Sequence, residues 1–226
     1  EKRDSYDAMA KYLAGVNAGV VFLSLGPRIE DALPFLWRGF KVSPAYTFRL
    51  SLEQPEEAVW EGYAGRVRGD VNKARKDGLV ADVGQDYGVL GEMQKSALAR
   101  NGKRADVVAI KEILAFLGNP GRSFTVTVSR NGSALASVLI AHHRSDAYYL
   151  MGGHEAGDSR QRGAGTLALH AAILHSREIG LKVFDFEGSS ISSIEEFFRG
   201  FGGRLEHGFQ IARGWLPLEM ALKLRW

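Results

Sequence analysis

Arg160-Gln161-Arg162-Gly163-Ala164-Gly165, running directly into Thr166 to Ile179, is a basic glycine-rich turn followed by a helix-like segment. A turn of this kind presents the unpaired N–H groups of a helix start to whatever lies in front of it. With the positive end of the helix dipole, those donors make a site suited to phosphate or pyrophosphate. Gly163 and Gly165 let the backbone approach oxyanions closely and adopt positive φ. Arg160 and Arg162 add guanidinium groups that grip phosphate bidentately. Gln161, Ala164 and Thr166 complete the candidate loop. So short a pattern also fits an ordinary surface turn carrying two arginines, and the neighbouring segments decide between the two.

Upstream the chain is β. Phe124 to Ser129 and Ala134 to His142 flank Arg130-Asn131-Gly132-Ser133, and Asn-Gly is the strongest short hairpin signal. A third strand is expected over Ala147 to Met151, ending at Gly152-Gly153. Downstream, Gly180 closes the helix and Lys182 to Glu187 alternates as a strand should. A short helix over Ile194 to Arg199 and closing strands from Arg204 to Ala212 follow.

The N-terminal part carries weaker signals. Tyr6 to Leu13 reads as a helix end, Gly19 to Leu25 as a strand stopped by Gly26-Pro27, and Ala45 to Leu50 as a second strand. One helix is expected from Pro55 to Gly78, with Val59, Tyr63, Val67, Val71 and Ala74 as its apolar stripe. Gly62, Gly65 and Gly69 weaken it by about 1 kcal/mol each. Further helices are expected near Tyr87 to Arg100 and Val107 to Leu117. There is no internal repeat and no low-complexity segment.

The chain has 226 residues, 45% of them hydrophobic, enough for a substantial core in one large domain or one domain with a small companion. The longest apolar runs are short pieces such as Val20 to Leu25, so no membrane span is expected. The absence of cysteine excludes disulfides, thiolate metal sites and a Cys nucleophile, and fits a cytoplasmic protein. A formal net charge of +3 suits an anionic ligand weakly and identifies no nucleic-acid binder.

Hairpin, third strand, basic glycine turn, helix, strand, helix, strand resembles the GCN5-related N-acetyltransferase (GNAT) fold. The turn is similar to that superfamily's acyl-CoA pyrophosphate loop at Arg160, Gly163 and Gly165. Tyr46 to Leu50, Arg66-x-Arg68, Asn72-Lys73-Ala74-x-Lys76-x-Gly78, Phe184 to Ser189 and Phe197 to Gly203 resemble its Fem-type branch, the FemAB-like peptidoglycan bridge-forming enzymes. The resemblance implies an α/β (α+β) fold with a central mixed, mostly antiparallel twisted sheet flanked by helices. It implies a GNAT-like acyltransferase domain over 46–226, with 1–45 a remnant of a first such domain or an N-terminal extension. It also implies an N-acyltransferase that takes acetyl-CoA or another acyl-CoA as co-substrate. The acceptor would be a small-molecule amine, a cell-wall precursor or a nucleotide-linked sugar. Fem-type relatives include transferases that use aminoacyl-tRNA, and these commonly carry Lys where this chain has Phe198. That departure disfavours tRNA and favours acyl-CoA. A third reading is a GNAT-fold binding module without catalysis. No oligomeric state follows.

Acyl transfer to an amine needs a base, donors for the tetrahedral oxyanion, and an acid for the leaving group. Asp185 and Glu187 lie two apart on the expected strand, facing one way at about 7 Å. Glu187, beside Gly188 where a cleft would open, is the preferred base, with Asp185 and His154 as alternatives. Pairing of both carboxylates with Arg or Lys on a neighbouring strand is the competing account. His142 and His143 face opposite sides, and His170 and His175 diverge on a helix, so no metal site is supported. Ser189 and Ser190 read as caps of the following helix. The helix expected to supply an acidic Tyr carries Phe197 and Phe198, so no general acid is assigned. Arg66, Arg68, Lys73, Arg75 and Lys76 make a basic helix segment that is either a solvated face or a contact for acceptor phosphate or tRNA. Arg68, Lys73 and Lys76 are its candidate substrate contacts.

Overall fold

The computed structural model describes residues 2–100, 107–117, 121–154, 163–188 and 191–214. The chain forms two compact units, residues 1–47 with 205–226 and residues 48–204.

The smaller unit contains α1 (Lys2–Gly15), β1 (Val20–Leu25), α2 (Leu33–Leu36), the first part of β2 (Lys41–Ser51) and nearly all of β8 (Arg204–Gly214). Its strands are ordered β1-β8-β2. β1 and β8 run antiparallel, with Val20 opposite Gly214 and Leu25 opposite Phe209. Ala10, Leu25, Phe35, Phe40 and Ile211 form its buried core.

β2 continues into the larger unit, which holds α3 (Glu56–Gly62), α4 (Gly65–Lys76), β3 (Val80–Gly84), α5 (Tyr87–Arg100), α6 (Val107–Leu117), β4 (Ser123–Arg130), β5 (Ser133–His143), β6 (Asp146–His154), α7 (Ala164–Glu178), β7 (Val183–Asp185) and α8 (Ser192–Arg199). Here the order is β2-β7-β6-β5-β4-β3. β2 pairs antiparallel with β7, and β3 with β4, β4 with β5 and β5 with β6 likewise, whereas β6 and β7 run parallel. The hairpin turn is as expected, Asn131 and Gly132 both taking positive φ, 50° and 78°.

The helices separate by sheet face. Val126, Val138, Ile140 and Ala147 share a core with Leu167, Ala168 and Ile173 of α7 and Val67, Val71 and Ala74 of α4. Leu139, Ala141 and Met151 pack instead with Leu90, Leu114 and Leu117 of α5 and α6. Strand alternation delivers one set to each side.

The expected helix from Pro55 to Gly78 is two helices, although every residue of its proposed stripe is buried. Tyr63 is extended at φ −70°, ψ 141°, and the Ala64 N–H donates to Gly200 O at 2.8 Å rather than along the helix. Arg68 donates to Glu61 O at 2.8 Å and to Tyr63 O, covering carbonyls left at the end of α3. Gly62 and Gly65 flank the break, where low helix propensity lets these contacts prevail.

Candidate functional site

β6 and β7 are parallel and share only the rungs Asp146–Val183, Ala147–Phe184 and Tyr148–Asp185. Beyond them the chains part. The Phe186 N–H donates to Phe48 O on β2 at 3.0 Å, so this segment stays with β2 while β6 runs on through the glycine pair to His154. A bulge marks the same level: Ile140 faces Tyr149, Leu139 faces Met151, and Leu150 is the extra residue. Because α7 connects two parallel neighbours, it returns antiparallel to them, and its N-terminus lies at their carboxyl ends. In open α/β sheets, ligands bind in the crevice outside the carboxyl ends of parallel strands.

Gly163 is the N-cap of α7, with φ 93° and ψ −6°. A Cβ on it would lie 2.6 Å from Asp70 O and 3.3 Å from the Ala74 Cβ, so glycine is required for α7 to dock on α4. At Gly165 a Cβ would meet no described residue within 4 Å. Ala164 and Thr166 are buried. Arg160, Gln161 and Arg162 lie outside the described residues, as do Ser189 and Ser190.

The strand expected over Lys182 to Glu187 stops at Asp185. Asp185 Oδ1 accepts the Glu187 N–H at 2.9 Å, bending the chain into a turn in which Glu187 has φ 57° and Gly188 φ 67°. The two carboxylates therefore do not share a strand face. Asp185 is 4% exposed and lies 3.2 Å from Arg49 Nε, while the same guanidinium donates to Asp146 Oδ2 at 2.7 Å. Pairing with a neighbouring strand thus describes Asp185. Glu187 differs. Loss of hydration and, second, the Asp185 charge push its carboxyl up to about 7, although Glu187 as a residue is exposed at the surface. His154 is exposed at the far end of β6, opposite Ala136. It stands six residues past the Tyr148–Asp185 rung, about 20 Å along the strand.

The basic segment of α4 is largely engaged within the protein. Besides Arg68, Lys73 pairs with Asp77 at 2.7 Å and Arg66 with Glu196 at 3.6 Å. Arg75 donates to His170 Nε2 at 3.0 Å, so His170 Nδ1 carries the proton toward the Tyr63 hydroxyl at 3.3 Å. Burial, then the Arg75 charge, holds His170 down at about 4. Lys76 is exposed. Among the described residues no group of three or more His, Asp or Glu is placed to hold a metal. No helix among them is long and apolar enough to cross a membrane.

The glycine-aromatic block after β7 is a packing device. Phe198 stacks on Phe186 at 5.5 Å, and Phe201 meets Tyr63 at 5.2 Å. Gly200 fits against Val67, and Gly202, at φ 75°, against the Gly62 backbone. Arg199 turns away to pair with Glu195 and to lie 5.0 Å over the Phe48 ring. Tyr149 carries only a faint sequence signal, a tyrosine three residues before the Gly152-Gly153 pair on the strand leading into the basic turn.

A family model for the acetyltransferase (GNAT) domain matches residues 66–199, over half of the chain. The chain belongs to the GNAT acetyltransferase family. It is an acyltransferase with the GNAT fold. No curated protein matches it in sequence. Among solved structures it resembles FemX, with a TM-score of 0.72 and 13% identity over 97% of this chain and 78% of that one. It also resembles the C-terminal domain of a putative lysylphosphatidylglycerol synthetase from Agrobacterium fabrum, at TM-score 0.66 and 15% identity over 99% and 78%. A GCN5-related N-acetyltransferase from Kribbella flavida gives 0.54 and 16% over 97% and 79%. In this GNAT domain the parting of β6 from β7 puts the Glu187 turn and the Tyr149 ring at one level, beside the carboxyl ends where α7 begins.

Proposed function

We propose that this GNAT domain transfers an acyl group from acyl-CoA to an amine, with residues 160–166 around the pyrophosphate and Glu187 as the general base. The observation that carries the reading is the parting of β6 and β7 next to a glycine-capped helix start, with a carboxyl of pKa about 7 on the turn that leaves β7. The room a Cβ would find at Gly165 supports close approach of a phosphate to that end of α7. A base poised near neutrality can take a proton from an attacking amine while remaining largely ionised at pH 7 and above. Asp185, committed to Arg49, orients the Glu187 turn. The distance of His154 from this level argues for a role outside proton transfer. In this reading 46–226 is the acyltransferase domain, 1–45 is the remnant of a first one, and the acceptor is a small-molecule or cell-envelope precursor amine.

The FemX likeness keeps an aminoacyl-tRNA donor as the second reading. The α4 cations argue against it, since Arg68, Lys73 and Arg75 are held by partners inside the domain. The test pairs two ligands. Acetyl-CoA should release thiol in the presence of an amine panel, whereas charged tRNA should bind negligibly at low salt. Submicromolar, steeply salt-dependent tRNA binding, abolished by joint Arg68→Ala, Arg75→Ala and Lys76→Ala substitution, would reverse the assignment.

A further inference from the structure

Tyr149 is the first residue of β6 beyond its last rung with β7, and it opens the bulge at Leu150. Its ring is half-buried on the α7 side of the sheet, edge-on to Phe198 at 5.3 Å between centroids. From there the hydroxyl reaches forward along β6 to Gly152, where any Cβ would collide with it. Glycine at 152 thus keeps the place that the hydroxyl occupies. The hydroxyl forms no hydrogen bond with any described residue. A half-buried hydroxyl bonded to no described residue, at the level where β6 and β7 part, can donate to a ligand entering there.

We propose that the Tyr149 hydroxyl donates a hydrogen bond to the carbonyl oxygen of the bound acyl donor and stabilises the negative charge that gathers there during transfer. The inference rests on the acyl-CoA reading above. As the amine nitrogen forms its bond to the acyl carbon, the carbonyl pair moves onto oxygen, facing Tyr149. The amine proton passes to the Glu187 carboxylate. The carbonyl then re-forms as the C–S bond breaks, sulfur leaves with the bonding pair, and the proton held by Glu187 reaches the thiolate through solvent, giving amide and free thiol. Tyr149 keeps its proton throughout. Burial pushes that phenol up to about 12, whereas an ordinary thiol titrates near ~8.5. It is therefore a poor proton source for a thiolate and a good neutral donor to an oxyanion.

Tyr149→Phe keeps every ring contact and removes only a hydroxyl that bonds no described residue, so its Tm should stay at the wild-type value. The direct probe is acetyl-CoA labelled at the thioester carbonyl, its affinity read by calorimetry and its carbonyl stretch by infrared difference spectroscopy. The stretch should move to lower frequency on binding wild-type protein and return most of the way in Tyr149→Phe, with Kd within about twofold. With a reactive amine, kcat should fall about 10²–10³-fold at unchanged KM for acetyl-CoA, the range for loss of one oxyanion donor. Binding with the same carbonyl band in both proteins overturns this inference alone. Absence of binding to the wild type overturns the acyl-CoA reading and this inference with it. A lowered Tm with an unmoved band would assign the hydroxyl to structure and equally refute the proposal.

Discussion

Arg49 Nε lies 3.2 Å from Asp185 Oδ2 across directly paired positions of β2 and β7, with both side chains nearly out of solvent. The pair fixes the strand that carries the Glu187 turn, and it explains why two acidic residues so close in sequence have different parts. One is held as an ion-pair partner and turn acceptor, and the other is left to titrate near neutrality.

Arg49→Ala leaves the Asp146 and Asp185 carboxylates buried around a missing cation. Urea unfolding should show a loss of about 3–5 kcal/mol, the range for breaking a buried pair from one side. A loss below about 1 kcal/mol would mean that the cluster is hydrated and contributes like a surface bridge.

Stability should also depend on His170. Its pKa is about 4 in the fold and ~6.5 in the unfolded chain, so the unfolded state binds more protons between these values. The stabilisation is complete above about pH 6.5 and is lost progressively as pH falls from there to about 4, amounting to about 3 kcal/mol at the acid end. Half-buried His142, lowered by burial and by His175, adds a change of the same sign. His170→Gln should flatten the His170 part of that slope in denaturant titrations at pH 4 to 7. An unaltered slope would show that acid unfolding is driven by other groups.

In the proposed mechanism Glu187 sets the pH dependence of transfer. With its ionised carboxylate as the base, kcat/KM should climb as pH rises through about 7 and level off above it. Glu187→Gln should lower the rate by about 10²–10⁴-fold, remove that limb and leave acetyl-CoA affinity nearly unchanged. Asp185→Asn should cost less in rate and more in stability, because its carboxylate holds Arg49 and the turn. A Glu187→Gln protein with the wild-type rate and pH profile would show that the amine is deprotonated elsewhere.

Local signals made most of the fold legible. Asn131-Gly132 specified its hairpin, and the spacing of Val59, Tyr63, Val67, Val71 and Ala74 marked a buried stripe correctly. What the sequence concealed was tertiary. The break at Tyr63 depends on Gly200 and Arg68, which reach α3 and α4 from outside any local window or from the next helix. The early end of β7 depends on an aspartate choosing the Glu187 amide over the ladder. At the candidate site, Glu187 stands out in the sequence because glycine follows it. Tyr149 does not, because its place rests on a bulge and on a rung pattern that ends at Tyr148. Lys73 shows the converse case, a charge that reads as a ligand contact in sequence and is an ion-pair partner in space.

The two glycines of the turn should separate fold from ligand. Gly163→Ala forces a side chain into φ 93° and against Asp70 O. It should cost about 1–3 kcal/mol of stability, measured by thermal unfolding. An unchanged Tm would mean that α7 does not depend on this close approach.

The central claim, that the start of α7 holds an acyl-CoA pyrophosphate, is tested most directly by calorimetric titration of acetyl-CoA into wild-type protein and Gly165→Glu. Residue 165 has open space for a side chain, so this variant should fold normally while placing a carboxylate where the phosphates would lie. Wild-type binding in the micromolar range, about −7 to −9 kcal/mol, with none detectable in Gly165→Glu is the predicted result. Equal affinity in the two proteins, or no binding to the wild type, would contradict the account.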